Sequence, residues 1–199
     1  MFVRLAIIFC FNIFFYNISF SQSSVRVAVY GGGSLNFVFN SISDYNTGIT
    51  YTNWTTIGME VVDDPFDAFN YISWDLKVEA DDADGDGFLT GSGLPVNQLP
   101  FGVIEVQATL AAGCASCNFY GSPFIALTNA PSVALVDGTN DPLCPCPPGD
   151  QLGSSLDLVS DQVSISYRCG VTTNLIAIGA SADYYSDDIF FTVEMDIVP

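Results

Sequence analysis

Histidine occurs nowhere in the 199 residues. Its absence removes imidazole acid–base chemistry and nucleophilic triads, and with them His-ligated zinc and haem. Basic residues are nearly as scarce: Arg4, Arg26, Lys77 and Arg168 stand against 22 Asp and Glu, for a formal charge of -18. So few cations cannot build the Lys/Arg patch that phosphate contacts require, which excludes nucleic acid as a partner. An anionic membrane surface repels such a chain for the same reason. Charged residues make up only 13% of the chain and hydrophobic ones 49%, a balance that excludes a solvated, disordered polymer. Also missing are an internal repeat, an interdomain linker and any convincing 3.6-residue apolar stripe.

The longest apolar run lies at the N-terminus. Arg4 precedes Leu5-Ala6-Ile7-Ile8-Phe9-Cys10-Phe11, and the run continues to Tyr16 with one break at Asn12. Ser19 and Ser21 then occupy the −3 and −1 positions of a signal-peptidase site, so residues 1–21 are expected to be a cleaved signal peptide. The run is too short for a spanning helix of roughly 20 residues, so no membrane insertion is expected after cleavage. The product, residues 22–199, is expected to be one secreted, extracellular or cell-surface domain, carrying 3 basic against 22 acidic residues, or -19.

What the chain does have is alternation. Val163, Ile165, Tyr167, Cys169 and Val171 interleave with Gln162, Ser164, Ser166, Arg168 and Gly170. Ile189, Phe191, Val193, Met195 and Ile197 interleave with Phe190, Thr192, Glu194, Asp196 and Val198. The same pattern sets Ile72, Trp74, Leu76 and Val78 against Ser73, Asp75, Lys77 and Glu79, and Ile104, Val106, Ala108 and Leu110 against Glu105, Gln107 and Thr109. Period two predicts half-buried strands, one face on a core and one on water. Shorter strands are predicted at Val25–Tyr30, Leu35–Asn40, Ile49–Thr52, Ile57–Val62 and Val133–Val136. With Gly, Asn, Asp and Pro between them, these segments predict an all-β, antiparallel β-sandwich of about eight to ten strands. The proline- and cysteine-containing stretch Asp137–Ser155 is expected to be a loop that is tied down.

The acidic loop Asp82-Ala83-Asp84-Gly85-Asp86-Gly87-Phe88-Leu89 carries the clearest chemical signal. It resembles the first eight positions of EF-hand and dockerin-type calcium loops. On that resemblance Asp82, Asp84 and Asp86 supply carboxylates, Gly87 permits the sharp turn, and Phe88 donates its backbone carbonyl to Ca²⁺. Position 12, where the EF-hand has a bidentate Glu, is Gly93, so a complete EF-hand is excluded and an affinity of roughly 10⁻⁴ to 10⁻³ M is expected. Glu79 or Asp81 could complete the shell, and Asp63-Asp64-Pro65-Phe66-Asp67 reads as a separate turn.

Cys114, Cys117, Cys144, Cys146 and Cys169 remain after signal cleavage. In an oxidising compartment disulfides are expected, and an odd number leaves one thiol free or paired between molecules. Thioredoxin-like chemistry at Cys114–Cys117 would need a helix start in a βαβ context, which the pattern does not provide. A Cys₄ zinc site is cramped at Cys144 and Cys146.

No catalytic residue is predicted, and the chain is expected not to be an enzyme. Asp75 and Glu79 lie on a water-facing strand face, where charge serves solubility. Calcium beside Trp54, Tyr71, Tyr184 and Tyr185 would also suit a carbohydrate-binding module. The segment Tyr184-Tyr185-Ser186-Asp187-Asp188-Ile189-Phe190-Phe191-Thr192-Val193-Glu194-Met195 resembles the closing strand of spore-coat-U and other pilin-like secreted domains. That resemblance implies an immunoglobulin-like surface or fibre subunit, and with it assembly by strand exchange. Ser24–Val29, followed by Gly31-Gly32-Gly33, would then be either a donor strand with a hinge or simply the first strand of its own sheet. The expected role is structural or adhesive, with copies of the chain or surface polymers and glycans as partners.

Overall fold

The computed structural model describes residues 24–62, 70–82, 85–93, 96–112, 123–129, 132–137 and 162–198. The expected signal peptide, the Asp63–Asp67 turn and nearly all of the proline-rich loop lie outside them. The fold is all-β and its sheets are antiparallel. Ten strands are formed by the described residues: β1 (Ser24–Gly31), β2 (Ile49–Val62), β3 (Asn70–Ala80), β4 (Phe88–Thr90), β5 (Gln98–Pro100), β6 (Ile104–Ala112), β7 (Ile125–Ala126), β8 (Val133–Asp137), β9 (Gln162–Cys169) and β10 (Ile189–Val198). They build a five-stranded sheet ordered β1-β2-β9-β6-β7, a three-stranded sheet β10-β3-β8, and the hairpin β4-β5.

One hydrophobic cluster draws on all three sheets. Ile57, Val106 and Ile165 come from the five-stranded sheet, Leu76, Val78 and Val136 from the three-stranded one, and Leu89 and Leu99 from the hairpin. Alternation predicts this set well in β3, where Leu76 and Val78 are buried while Asp75, Lys77 and Glu79 are half-buried.

Both faces of β9 are covered, which departs from the expected half-buried strand. Ser164 and Ser166 are buried along with Val163, Ile165 and Tyr167. β9 lies between β2 and β6, and β2 is irregular between Tyr51 and Thr55. There Asn53 adopts φ 51°, a left-handed conformation that Asn tolerates, and its backbone N–H donates to Ser166 Oγ at 2.9 Å. The same irregularity joins Ile49–Thr52 and Ile57–Val62, expected as two strands, into one.

Leu35–Asn40, expected as a strand, is not a sheet strand. Leu35, Phe37 and Phe39 pack against the core, as their alternation predicts, while Val38 is 62% exposed. Side chains rather than a ladder hold the segment: Trp54 Nε1 donates to Ser34 O and Tyr51 Oη to Asn36 O, each at 3.0 Å. It runs into a short helix, α1 (Ile42–Thr47), started by a capping box in which Ser41 Oγ accepts from Asp44 N and Asp44 Oδ2 accepts from Ser41 N. No stripe announces α1, because it is under two turns long and buries no residue.

Candidate functional site

The acidic loop follows β3. Ala80 N donates to Thr128 O and Asp81 N to Asp188 O, both at 2.9 Å, so the loop starts from two fixed points. Asp82 then organises the turn. Its Oδ1 accepts from Gly85 N at 2.8 Å and Asp86 N at 3.2 Å, and its Oδ2 accepts from Gly87 N at 2.8 Å and Asn129 Nδ2 at 2.6 Å. Gly85 and Gly87, at φ 73° and 83°, take left-handed conformations that L side chains rarely adopt. Asp86 accepts from Phe88 N at 2.9 Å through Oδ1 and from Gln98 Nε2 at 2.5 Å through Oδ2. Phe88 opens β4, opposite Pro100.

Of the four expected calcium ligands, Asp82, Asp86 and Phe88 therefore share one tight turn, and Asp84 lies outside the described residues. All carboxylate oxygens of Asp82 and Asp86 already accept hydrogen bonds, yet an ionised carboxylate has spare lone pairs for a hard cation. Among the described residues no group of three or more Asp, Glu or Cys side chains is placed to hold a metal. Oxygen donors of this kind suit Ca²⁺ rather than a softer metal.

The loop also borders a second acidic segment, Asp183–Asp188, just ahead of the closing strand β10. Burial, followed by the charges of Asp81, Asp188 and Asp82, pushes Asp187 above the usual carboxylate range, against a lowering hydrogen bond from Asp188 N. Asp183 moves the other way. Hydrogen bonds from Asn97 Nδ2 (2.9 Å) and Tyr184 N (2.8 Å), with weaker ones from Gly93 N and Ser92 Oγ, hold it below the usual range. Its carboxylate fills the space over Gly91 and Gly93, where an added Cβ would lie 2.4 Å and 2.8 Å from Asp183 Oδ2. No local signal links residues about 90 positions apart, so this contact is invisible in the sequence.

Between this segment and Leu35–Phe39 lies a cleft of about 500 Å³. Leu89, Leu99 and Leu127 contribute its apolar lining, and Asp183–Ile189 runs along it. Tyr167 lies within it, its hydroxyl donating to Thr55 Oγ1 at 2.9 Å, which in turn donates to Gly32 O at 2.9 Å.

The remaining expected residues fall as follows. Cys169 is a buried free thiol on β9, pushed up to about 12 by burial, which disfavours its thiolate form. Cys114, Cys117, Cys144 and Cys146 lie outside the described residues. Asp75, expected on a water-facing strand face, is half-buried and pairs with Lys77, which also binds Glu194. Tyr184 is 65% exposed, whereas Trp54 lies 5.0 Å from the Tyr51 ring and supports the Leu35–Phe39 segment. No helix among the described residues is long and apolar enough to cross a membrane. No protein-family model matches the chain, and it has no match among curated proteins.

Proposed function

We propose that the chain is a secreted, non-enzymatic structural or adhesive protein of the cell exterior, which joins copies of itself through β1 and is stabilised by calcium at the Asp82–Phe88 loop. The observation that carries this is the state of β1. Among the described residues it is an edge strand paired on one side only, with β2. Val27 and Val29, the residues that alternation would put on a core, are 47% and 58% exposed, and Tyr30 is 48% exposed. An edge with unpaired backbone groups and apolar side chains is a template for another strand, and natural proteins usually blunt such edges with charge or proline. Pairing here would be strand addition: backbone hydrogen bonds give affinity and alternate side chains give register.

The test is sedimentation velocity of the purified secreted chain over a wide concentration range. The parent is expected to self-associate, and Val27→Lys with Val29→Lys is expected to hold it monomeric at an unchanged melting temperature. A parent that stays monomeric at every concentration, and remains folded after deletion of residues 22–33, would remove the support for this function.

A further inference from the structure

The cleft beside the acidic loop has a composition that selects for one ligand class. Its volume of about 500 Å³ is in the range of small-molecule sites. Its aromatic lining includes Phe39 and Tyr45, whose ring centroids are 5.3 Å apart, and Tyr185, whose hydroxyl donates to Ser181 O at 3.2 Å. Three acidic residues, Asp183, Asp187 and Asp188, line the same cleft.

Neither Lys77 nor Arg168, the two cations whose side chains are described, pairs with any of these three carboxylates. Asp183 is satisfied by neutral donors only, so its charge stays uncompensated. Of the cations whose side chains are described, Lys77 is engaged with Glu194 and Asp75, and Arg168 with Glu105. Aromatic faces attract cations through their quadrupole, and uncompensated carboxylates add a long-range field that is focused by an apolar cleft. An anion would be repelled from this rim, and a neutral apolar molecule would gain nothing from it.

We infer that the cleft binds a small organic cation, its quaternary or protonated ammonium at the Asp183–Asp188 rim and its apolar body against Phe39, Tyr45 and Tyr185. This site is independent of self-association through β1, so either can fail without the other.

The test is calorimetric titration of the full secreted chain in chelator-treated buffer at low ionic strength. The probes are benzyltrimethylammonium, benzyl alcohol and benzoate, which share a ring and differ in charge. The cation is expected to bind at least about ten-fold more tightly than the alcohol, benzoate not at all, and added salt to weaken the cation selectively. Asp187→Asn with Asp188→Asn is expected to weaken cation binding about ten-fold without lowering the melting temperature. Tyr185→Phe should retain binding and Tyr185→Leu lose several-fold, which separates a role of the ring face from one of the hydroxyl. No cation binding, equal binding of all three probes, or undiminished binding by the double Asn variant would each overturn the proposal.

Discussion

Glu105 and Arg168 stand directly opposite each other on β6 and β9, and the guanidinium grips the carboxylate through two hydrogen bonds of 2.8 Å. Thr172 Oγ1 adds a third donor at 3.1 Å, and the guanidinium also lies 4.2 Å from the centroid of the Phe124 ring. Glu105 is only 6% exposed, so a residue that alternation assigns to the water-facing side is buried. Burial alone would raise its pKa; the hydrogen bonds from Arg168 and Thr172 and the Arg168 charge outweigh that and lower it below 4.5.

Glu105→Gln is therefore expected to cost about 2 kcal/mol at neutral pH, less than a fully buried pair because Arg168 keeps partial access to water. The sign of the pH dependence follows from the lowered folded-state value. The stabilisation is fully present above the ordinary value of 4.5 and is lost as pH falls through the lower folded value. Urea unfolding of both proteins at stepped pH checks this. The gap between them should close on acidification, and a gap that stays constant to the acid limit would contradict the assignment.

Much of the fold was legible because it rests on local periodicity. Leu76 and Val78, or Ile189, Phe191 and Val193, declare strands within their own segments. What was not legible depends on partners distant in sequence. Nothing near Glu105 announces Arg168, and nothing near Gly91 announces Asp183. Leu35–Asn40 shows the limit of periodicity itself: alternation reports which side chains turn inward, not whether the backbone finds a ladder. In the candidate site the Asp82, Asp86 and Gly87 turn could be read directly, since an Asp–Gly loop closes on its own amides. The cleft beside it could not, because Phe39 and Tyr45 meet Asp183–Asp188 from the opposite end of the chain.

Calcium should stabilise the loop by mass action. At ten times the dissociation constant one site contributes about 1.4 kcal/mol, a rise of roughly 3 to 6 °C in melting temperature. Asp84→Ala is expected to abolish that rise. Asp82→Asn should behave differently, losing about 1–3 kcal/mol without calcium, because one of its oxygens is replaced by a group that cannot accept from the loop amides. Differential scanning calorimetry with calcium, and with sodium chloride at matched ionic strength, distinguishes the two. An equal shift by both salts would rule the ion out.

Gly32 tests how the turn after β1 is built. Its φ is +68°, and an added Cβ would lie 2.3 Å from Trp54 O and 2.8 Å from Thr55 Oγ1. Trp54 O is backbone and cannot swing away, so Gly32→Ala is expected to cost well over about 1 kcal/mol. Gly33 has nothing within 4 Å of an added Cβ, and Gly33→Ala is expected to be within about 0.5 kcal/mol of the parent. Equal effects at the two positions would mean that this stretch is a free hinge rather than a packed turn.

Cys169 provides a chemical probe of the same core. It sits on β9 opposite Ile49 on one side and Ile104 on the other, 3% exposed, with its thiol pushed up to about 12. At pH 8 only about one thiol in ten thousand would be ionised, against about one in ten at the ordinary value of 9.0. Reactivity is thus suppressed roughly a thousand-fold by ionisation alone, before steric access is counted. Brief iodoacetamide treatment of the folded chain, followed by peptide mapping, is expected to leave Cys169 unlabelled, and the same treatment in urea without reductant should label it fully. Labelling in the folded state would place the thiol outside the core. Failure to label in urea would reveal a covalent partner, which a buried free thiol on a central strand does not have.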